Sequence, residues 1–158
     1  MNETMILREI VVQDIAVIQC WPAYPEEFKD LDYALRGAGW IIECLGKVGT
    51  NIYVAEERGV LIGFTILSRD DAGGSSNRAE FRIALHPDML GQGVGRKLAG
   101  MTIRKGFEEL GLKRIYLIVR KSNHRARTLY QYCGFRDTGE CRKEVNGMVV
   151  DFQEMDDP

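Results

Sequence analysis

The sequence predicts a mixed α/β fold with a parallel pair of strands at the centre of the sheet and a hairpin at the carboxyl end. A strand pattern at 79–86 leads through a glycine-rich run into a helical pattern at 93–110. A continuous apolar run follows at 115–119, as expected of a central strand that is buried on both faces. Two strands joined through a helix in this way become parallel neighbours through a right-handed crossover.

The other elements follow from the spacing of apolar residues and from the Gly and Pro residues that interrupt it. The helical pattern at 93–110 has apolar residues on two sides, so we expect it to be covered on more than one face. Asn146 and Gly147 separate two strand patterns and form a dipeptide typical of a two-residue hairpin turn. In chain order the further elements are a strand at 5–10, a helix at 13–20, short helices within 21–45, strands at 52–56 and 60–67, a helix at 124–132, and strands at 140–145 and 148–155.

Length and composition fit one domain that covers residues 1–158. The chain has 158 residues, of which 45% are hydrophobic and 28% charged, and a chain of this size buries a sizeable core. Its formal net charge is −2 and it has no long basic block, so we expect no nucleic-acid partner. No apolar stretch approaches the roughly 20 residues that cross a bilayer, and the first residues given lack the basic-then-apolar pattern of a secretion signal. We therefore expect a cytoplasmic protein with no membrane partner.

The cysteines do not have the spacing of a metal site. Cys20, Cys44, Cys133 and Cys141 are far apart and the chain has only two histidines, so we expect no metal ion. Four cysteines are also too few for a disulfide scaffold in a chain of this length. We expect reduced thiols, most of them buried.

The most informative segment is the run Leu-Gly-Gln-Gly-Val-Gly-Arg at 90–96, between the strand and the long helix. A helix start leaves about four backbone N–H groups without partners and carries the positive end of the helix dipole, so a phosphate can bind there. The third glycine of a dinucleotide-binding fingerprint and the second glycine of a P-loop would both fall at Arg96, so neither loop is present. At this point the alternatives are another phosphate loop and a glycine-rich turn without a ligand.

A second polar segment should lie beside the glycine run. Ligands of such sheets bind beyond the carboxyl ends of the parallel strands. The glycine run follows the first strand of the parallel pair, and the segment 120–123 follows the second. The two loops should therefore converge on one site.

Two segments in this order resemble the GNAT superfamily of acetyl-CoA-dependent N-acetyltransferases. The first reads AEFRIALHP and continues into GQGVGR, and the second reads NHRARTLYQYCGF at 123–135. The resemblance covers about 79–155, and the order of the earlier elements also fits. The segment 79–81 and the ending with Asn146, Gly147, Asp151 and Met155 are similar to the branch that acetylates spermidine and ribosomal proteins. The resemblance implies a single-domain acyl-CoA N-acyltransferase fold and acetyl-CoA as cosubstrate.

The resemblance also implies roles for individual positions. Asn123 matches a cofactor-contacting asparagine, and Tyr130 matches the tyrosine that protonates the departing coenzyme A sulfur. Leu90 departs from the superfamily, which usually has Arg or Gln there, so we expect weaker polar anchoring at this point without loss of the site. The cofactor-binding positions carried over are the strand end Ile83, Ala84 and Leu85, the diphosphate loop Gly91, Gln92, Gly93, Val94, Gly95 and Arg96, and the pair Asn123 and Tyr130.

The chemistry of acetyl transfer needs an acid and a base. A thiolate leaves more easily when a neutral donor protonates it, and a phenol with a pKa near 10 stays protonated at neutral pH. Tyr130 fits this role, although its helix position also suits a tyrosine packed in the core; Tyr132 lies on another face and is assigned such a packing role. Glu80 is our candidate for the base or the amine anchor, directly or through a water, and His86 is the second candidate. The alternative is that this polar face of the strand is simply solvated.

Recognition of the amine acceptor is expected in the segment 21–45. Its aromatic and acidic side chains could hold a cationic amine, or they could be core anchors and a solvated surface. Polyamine, amino acid, amino sugar, peptide N-terminus and protein lysine acceptors all stay open. A non-catalytic acyl-CoA-binding regulatory domain is the alternative function, and a homodimer through the C-terminal hairpin is a possible assembly. The aromatic and acidic residues of the segment are Trp21, Tyr24, Phe28, Tyr33, Trp40, Glu26, Glu27, Asp30, Asp32 and Glu43.

Overall fold

The part of the chain that the structure describes forms a seven-stranded sheet with helices on both faces. The structure is a computed structural model that describes residues 5–26, 32, 34–35, 39–71, 75–145 and 148–157. The strands are β1 (Met5–Glu9), β2 (Thr50–Glu57), β3 (Val60–Arg69), β4 (Arg78–Leu85), β5 (Arg114–Arg120), β6 (Arg136–Val145) and β7 (Met148–Asp157). The helices are α1 (Val12–Gln19), α2 (Trp40–Cys44), α3 (Val94–Glu108) and α4 (His124–Tyr132).

The strands lie in the order β1-β2-β3-β4-β5-β7-β6. Strands β4 and β5 are parallel, and every other neighbouring pair is antiparallel. The expected fold class, a mixed sheet with a central parallel pair and a C-terminal hairpin, is therefore confirmed. Helix α4 spans the expected residues, the other elements differ from expectation only at their ends, and α2 is a short helix of the kind expected within 21–45. The proposed hairpin turn at Asn146 and Gly147 lies outside the described residues.

Apolar side chains cover the sheet on both faces. Phe64 of β3 packs in a cluster with residues of α1 and α2, whereas Leu67 of the same strand packs in a cluster with α3 and α4. Successive residues of a strand point to opposite faces of the sheet, so one strand supplies both clusters. Helix α3 contributes Leu98 to one cluster and Ala99 and Ile103 to another, which confirms that it is covered on more than one face.

Strands β4 and β5 pair only at their beginnings. Their register runs from Arg78 opposite Arg114 to Glu80 opposite Tyr116 and then ends. Beyond that point β4 continues along β3 as far as Leu85, while β5 continues along β7. The two strands separate toward their carboxyl ends, and the separation leaves a gap in the sheet where the two polar loops were expected to converge.

The cysteine thiols are less buried than the sequence predicts. All four cysteines are free, but only Cys44 is buried and Cys20 is exposed, so the expectation that most are buried is wrong. Within the described residues, none of the helices is long and apolar enough to cross a bilayer. In the same part of the chain, the acidic, histidine and cysteine side chains form no group of three or more that is placed to hold a metal ion.

Candidate active site

A cavity of about 740 Å³ occupies the gap between the separated ends of β4 and β5. Its wall includes Ile83 of β4, which packs against the α3 and α4 side of the sheet. The wall also includes Ala84 and Trp40, which pack with the α1 and α2 side. The cavity therefore reaches through the sheet, with one part facing each pair of helices.

Most of the residues predicted from the sequence come together in this cavity. Val94 does not line it, because its side chain packs in the cluster that contains Leu98 and Met89. Glu80 also lies outside the lining. The predicted residues that line the cavity are Ile83, Ala84, Leu85, Gly91, Gln92, Gly93, Gly95, Arg96, Asn123 and Tyr130.

The glycine run forms a tight loop that ends as the N-cap of α3. Gly91 and Gly93 have φ angles of 78° and 82°, a left-handed conformation that favours glycine. A Cβ at Gly95 would lie 3.2 Å from Cδ2 of Leu129, so this glycine allows α3 to pack closely on α4. The side chain of Gln92 turns back and donates a hydrogen bond of 2.6 Å to the carbonyl of Asp88. The loop thus presents its backbone to the cavity.

Two arginines lie at the glycine loop. The guanidinium of Arg125, from the first turn of α4, lies against Gly91, where it would contact a Cβ at that position. The guanidinium carbon of Arg96 lies 3.8 Å from the ring centroid of Tyr132, a cation–π contact. Tyr132 is 66% exposed, so a packing role in the core is wrong for it. Sequence reasoning missed Arg125, because nothing local indicates which loop its side chain meets.

Asn123 connects the second loop to α4. Its Oδ1 accepts a hydrogen bond of 3.1 Å from the backbone N–H of Ala126, which makes Asn123 the N-cap of the helix. This bond occupies the side-chain oxygen of Asn123. The side-chain NH₂ group can still donate a hydrogen bond to a ligand. Asn123 also lines the cavity, so the cap holds it at the cavity wall.

Tyr130 is both a core residue and a residue of the cavity wall. It is buried, and its ring meets the rings of Phe81 and Phe135 edge-on, with centroids 6.4 and 5.9 Å away. Burial raises the pKa of its phenol well above the usual value, and the neighbouring Cys133 raises it further. The phenol is therefore protonated throughout the neutral range and can act as a proton donor.

Glu80 and His86, the candidates for a base, have structural partners. One carboxylate oxygen of Glu80 lies 3.7 Å from the guanidinium of Arg82, and the same guanidinium lies 3.4 Å from Glu43. Arg82 in turn lies 5.6 Å from the ring of Trp40, a residue of the cavity wall. His86 accepts a hydrogen bond of 3.0 Å from the backbone of Asp88 through Nδ1 and so caps a short 3₁₀ turn.

The residues of the segment expected to recognise the acceptor lie partly in the core and partly in the cavity wall. Trp21 is buried and its ring packs 6.4 Å from that of Phe64, so it is a core anchor. Tyr24 and Trp40 line the cavity. The described carboxylates lie outside the lining: Glu26 is exposed, Glu43 pairs with Arg82, and Asp32 accepts a hydrogen bond from the backbone of Tyr24. Glu27, Phe28, Asp30 and Tyr33 lie outside the described residues.

Comparison with known proteins identifies the class to which this fold and cavity belong. The sequence profile of the Acetyltransferase (GNAT) family matches residues 16–135, so the chain belongs to this family.

Among individual proteins, the chain is similar to bacterial spermidine acetyltransferases. Over 72 residues, the chain is 39% identical to the spermidine N(1)-acetyltransferase of Escherichia coli strain K12, a match that covers 44% of this chain and 39% of that protein. Over 79 residues it is 37% identical to the spermidine N(1)-acetyltransferase of Vibrio cholerae, covering 49% of this chain and 46% of that protein. The matches thus span less than half the length of these curated relatives.

A solved structure extends the likeness to nearly the whole chain. It is a chimeric spermidine N-acetyltransferase derived in part from Vibrio cholerae, and it superposes with a TM-score of 0.75 at 26% identity. The superposition covers 96% of this chain and 93% of that chain. The resemblance to the spermidine acetyltransferase branch is therefore confirmed.

Proposed function

We propose that this chain transfers an acetyl group directly from acetyl-CoA to a primary amine. The observation that carries the proposal is the meeting of three features in one cavity: a glycine loop at a helix start, a gap between parallel strands, and the buried phenol of Tyr130. The loop would hold the coenzyme diphosphate through its backbone N–H groups. The gap would hold the pantetheine arm, and the phenol would lie near the sulfur.

The strand end beside the gap has backbone groups that can meet an extended ligand. Strand β4 pairs with β3 as far as Leu85 but with β5 only as far as Glu80. Beyond Glu80, one edge of β4 therefore has no neighbouring strand. An extended pantetheine arm can pair with such an edge, as a peptide strand would. The carboxylate-free wall also suits an anionic coenzyme, because the charged side chains among the described lining residues are Arg96, Arg120 and Arg125.

The reaction would proceed in one transfer step through a tetrahedral intermediate. The lone pair of the neutral amine attacks the thioester carbonyl carbon and forms a C–N bond. The C–S bond then breaks, the thiolate takes the phenolic proton of Tyr130, and the amine nitrogen releases a proton to a base. The products are the acetylated amine and coenzyme A, and the phenol regains its proton from solvent.

The base and the acceptor would lie on the α1 and α2 side of the sheet. Glu80 stays our prediction for the base or the amine anchor, acting through a water because its carboxylate lies outside the cavity wall. Tyr24 and Trp40 offer aromatic faces to which an alkylammonium group can bind. Similarity to spermidine acetyltransferases makes a polyamine the first acceptor to test. A homodimer through the edge strand β6 stays a prediction as well.

A coenzyme A release assay tests the proposal. The protein and acetyl-CoA are mixed with one amine at a time: spermidine, an α-amino acid, an amino sugar or a lysine peptide. The free thiol that is released is then measured. We expect amine-dependent thiol release with at least one acceptor. Tyr130→Phe should abolish most of it, whereas Tyr53→Phe should not, because Tyr53 is a buried tyrosine of the same cluster that lies outside the cavity wall. Tight binding of acetyl-CoA without turnover on any amine would instead support the non-catalytic alternative.

A further inference from the structure

The glycine loop lacks a polar side chain at the position where the superfamily usually has one. Leu90 lines the cavity and packs against the cluster that contains Trp40. A leucine cannot donate a hydrogen bond to a phosphate, so anion binding at this position would rest on backbone groups alone. A diphosphate carries more negative charge than the roughly half unit of positive charge at a helix start neutralises, so a nearby cationic side chain would strengthen its binding.

The side chain of Arg125 lies at the glycine loop, against the residue that follows Leu90. Its guanidinium occupies the space beside Gly91 in which any other residue would place its Cβ. The φ of Gly91, 78°, favours glycine, and a Cβ at this position would displace the guanidinium of Arg125. Arg125 also lines the cavity and stands in the first turn of α4, two residues after the cap Asn123. The guanidinium is thus placed from a neighbouring helix onto the loop one residue away from Leu90.

A second cation follows directly after the loop in the chain. Arg96 stands in the first turn of α3, and its guanidinium stacks on the ring of Tyr132 at 3.8 Å. Stacking on an aromatic face leaves the edge of a guanidinium, with its N–H groups, able to meet a phosphate. Since Tyr132 is largely exposed, its ring contributes little to the core, and its contact with Arg96 is the clearest function of this side chain.

We propose that Arg125 is the side-chain ligand of the coenzyme diphosphate, in place of the polar residue absent at Leu90, and that Tyr132 positions Arg96 as a second phosphate ligand. Guanidinium groups bind phosphate oxygens in pairs, through parallel N–H donors, which a lysine cannot do. The inference rests on the proposed function only in requiring that coenzyme A occupies this cavity. It needs no assumption about the amine acceptor.

Calorimetric titration with ligands that differ in their phosphates tests the proposal for Arg125. The ligands are coenzyme A, dephospho-coenzyme A, which keeps the diphosphate but lacks the 3′-phosphate, and pantetheine, which has no phosphate and is measured by displacement. We expect Arg125→Ala to weaken both coenzymes by about tenfold or more and pantetheine not at all, and Arg125→Lys to restore only part of the loss. Arg104→Ala is the matched control, because it removes an exposed cation of α3 that lies outside the cavity wall.

A gain-of-function variant tests whether Arg125 replaces the absent side chain. Leu90→Arg in the Arg125→Ala background should recover part of the lost affinity for dephospho-coenzyme A. For Tyr132, we expect Tyr132→Leu to weaken coenzyme A binding in the wild-type background and to have no further effect once Arg96→Ala is present. This non-additivity is what a positioning role requires and a general loss of stability does not produce.

The possible outcomes separate this inference from the proposed function. If the unaltered protein does not bind coenzyme A, the proposed function itself is wrong. If it binds coenzyme A but Arg125→Ala binds both coenzymes within about twofold of it, only the inference is wrong. A loss of pantetheine binding equal to the loss of coenzyme binding would also overturn the inference, because it would indicate a distorted cavity and no phosphate contact.

Discussion

The hydroxyl of Tyr24 donates a hydrogen bond of 2.7 Å to the backbone carbonyl of Leu85. This bond joins the segment before α2 to the carboxyl end of β4, over 61 positions of the sequence. The backbone N–H of Tyr24 is itself held by the carboxylate of Asp32 at 3.3 Å. A residue from the segment expected to recognise the acceptor therefore fixes the strand end along which the pantetheine arm is proposed to lie.

We expect Tyr24→Phe to lower the free energy of unfolding by about 1 kcal/mol, because the carbonyl of Leu85 loses a buried donor. Binding of acetyl-CoA should weaken by a few-fold at the same time, since the strand end becomes less ordered. Urea denaturation and calorimetric titration measure the two effects. An unchanged affinity for acetyl-CoA in a destabilised variant would show that the bond serves the fold alone.

Tyr130→Phe should lower kcat by about a hundredfold or more and leave the affinity for acetyl-CoA nearly unchanged, because it removes the acid but keeps the ring between Phe81 and Phe135. The pH dependence follows from the direction of the pKa shift. Burial raises the pKa of this phenol, so it stays protonated beyond the usual value of about 10. We therefore expect no loss of kcat from Tyr130 between neutral pH and about pH 10. An alkaline decline in that range that disappears in the Phe variant would contradict the assignment.

Glu80→Gln should lower kcat/KM for the amine by about tenfold or more while acetyl-CoA binding is unchanged, if Glu80 accepts the amine proton through a water. Glu43→Gln is the matched control, because Glu43 is the other carboxylate beside Arg82 and is more exposed. Equal, small effects of the two substitutions on kcat/KM would leave Glu80 with no role beyond its ion pair with Arg82.

Gly91→Ala and Gly93→Ala form a matched pair for the diphosphate loop. Both positions have positive φ, so each alanine should cost about 1 kcal/mol in stability. A Cβ at Gly93 meets nothing within 4 Å, whereas a Cβ at Gly91 meets the guanidinium of Arg125. We expect Gly91→Ala to weaken coenzyme A binding by clearly more than Gly93→Ala in the same titration. Equal affinities for the two variants would argue against a fixed position of Arg125.

The buried carboxylate of Asp14 should make stability depend on pH. It accepts hydrogen bonds from both terminal nitrogens of Arg8, at 2.8 and 2.9 Å, and from the backbone N–H of Val11 at 2.8 Å. The hydrogen bonds from Arg8 are the main cause of its lowered pKa. Because the pKa in the folded state lies below the unfolded value of about 3.9, the stabilisation is present above that pH and is lost as the pH falls below it.

Asp14→Asn should therefore lower the free energy of unfolding by about 2 kcal/mol at neutral pH and by less in acid. Urea denaturation of the variant and the wild type at about pH 7 and about pH 3 measures the difference. Asp88→Asn provides a control, because the side chain of Asp88 is 77% exposed. A difference that is the same at both pH values would show that the charge of Asp14 does not contribute.

Much of the fold was readable from local patterns. The apolar run of β5, the glycine-interrupted start of α3 and the helix α4 each depend on neighbours within a few residues, and all three lie where the sequence predicts them. The strand order at the carboxyl end was not readable. Strand β7 lies between β5 and β6, and no local signal says which strand of a hairpin pairs with the rest of the sheet.

The sequence by itself determined the order of the elements, the parallel unit and the glycine loop, because periodicity and glycine spacing are properties of short segments. Tyr130 as the candidate acid follows from the resemblance to the GNAT superfamily and stays a prediction. The tertiary structure decided where β4 and β5 stop pairing, and thereby where a cavity opens. It also decided that Glu80 lies beside Arg82, outside the cavity wall, and that Arg125 lies against Gly91. These relationships depend on how a strand diverges and how α4 packs on the loop, and contacts between residues far apart in the chain are set only when the whole fold is assembled.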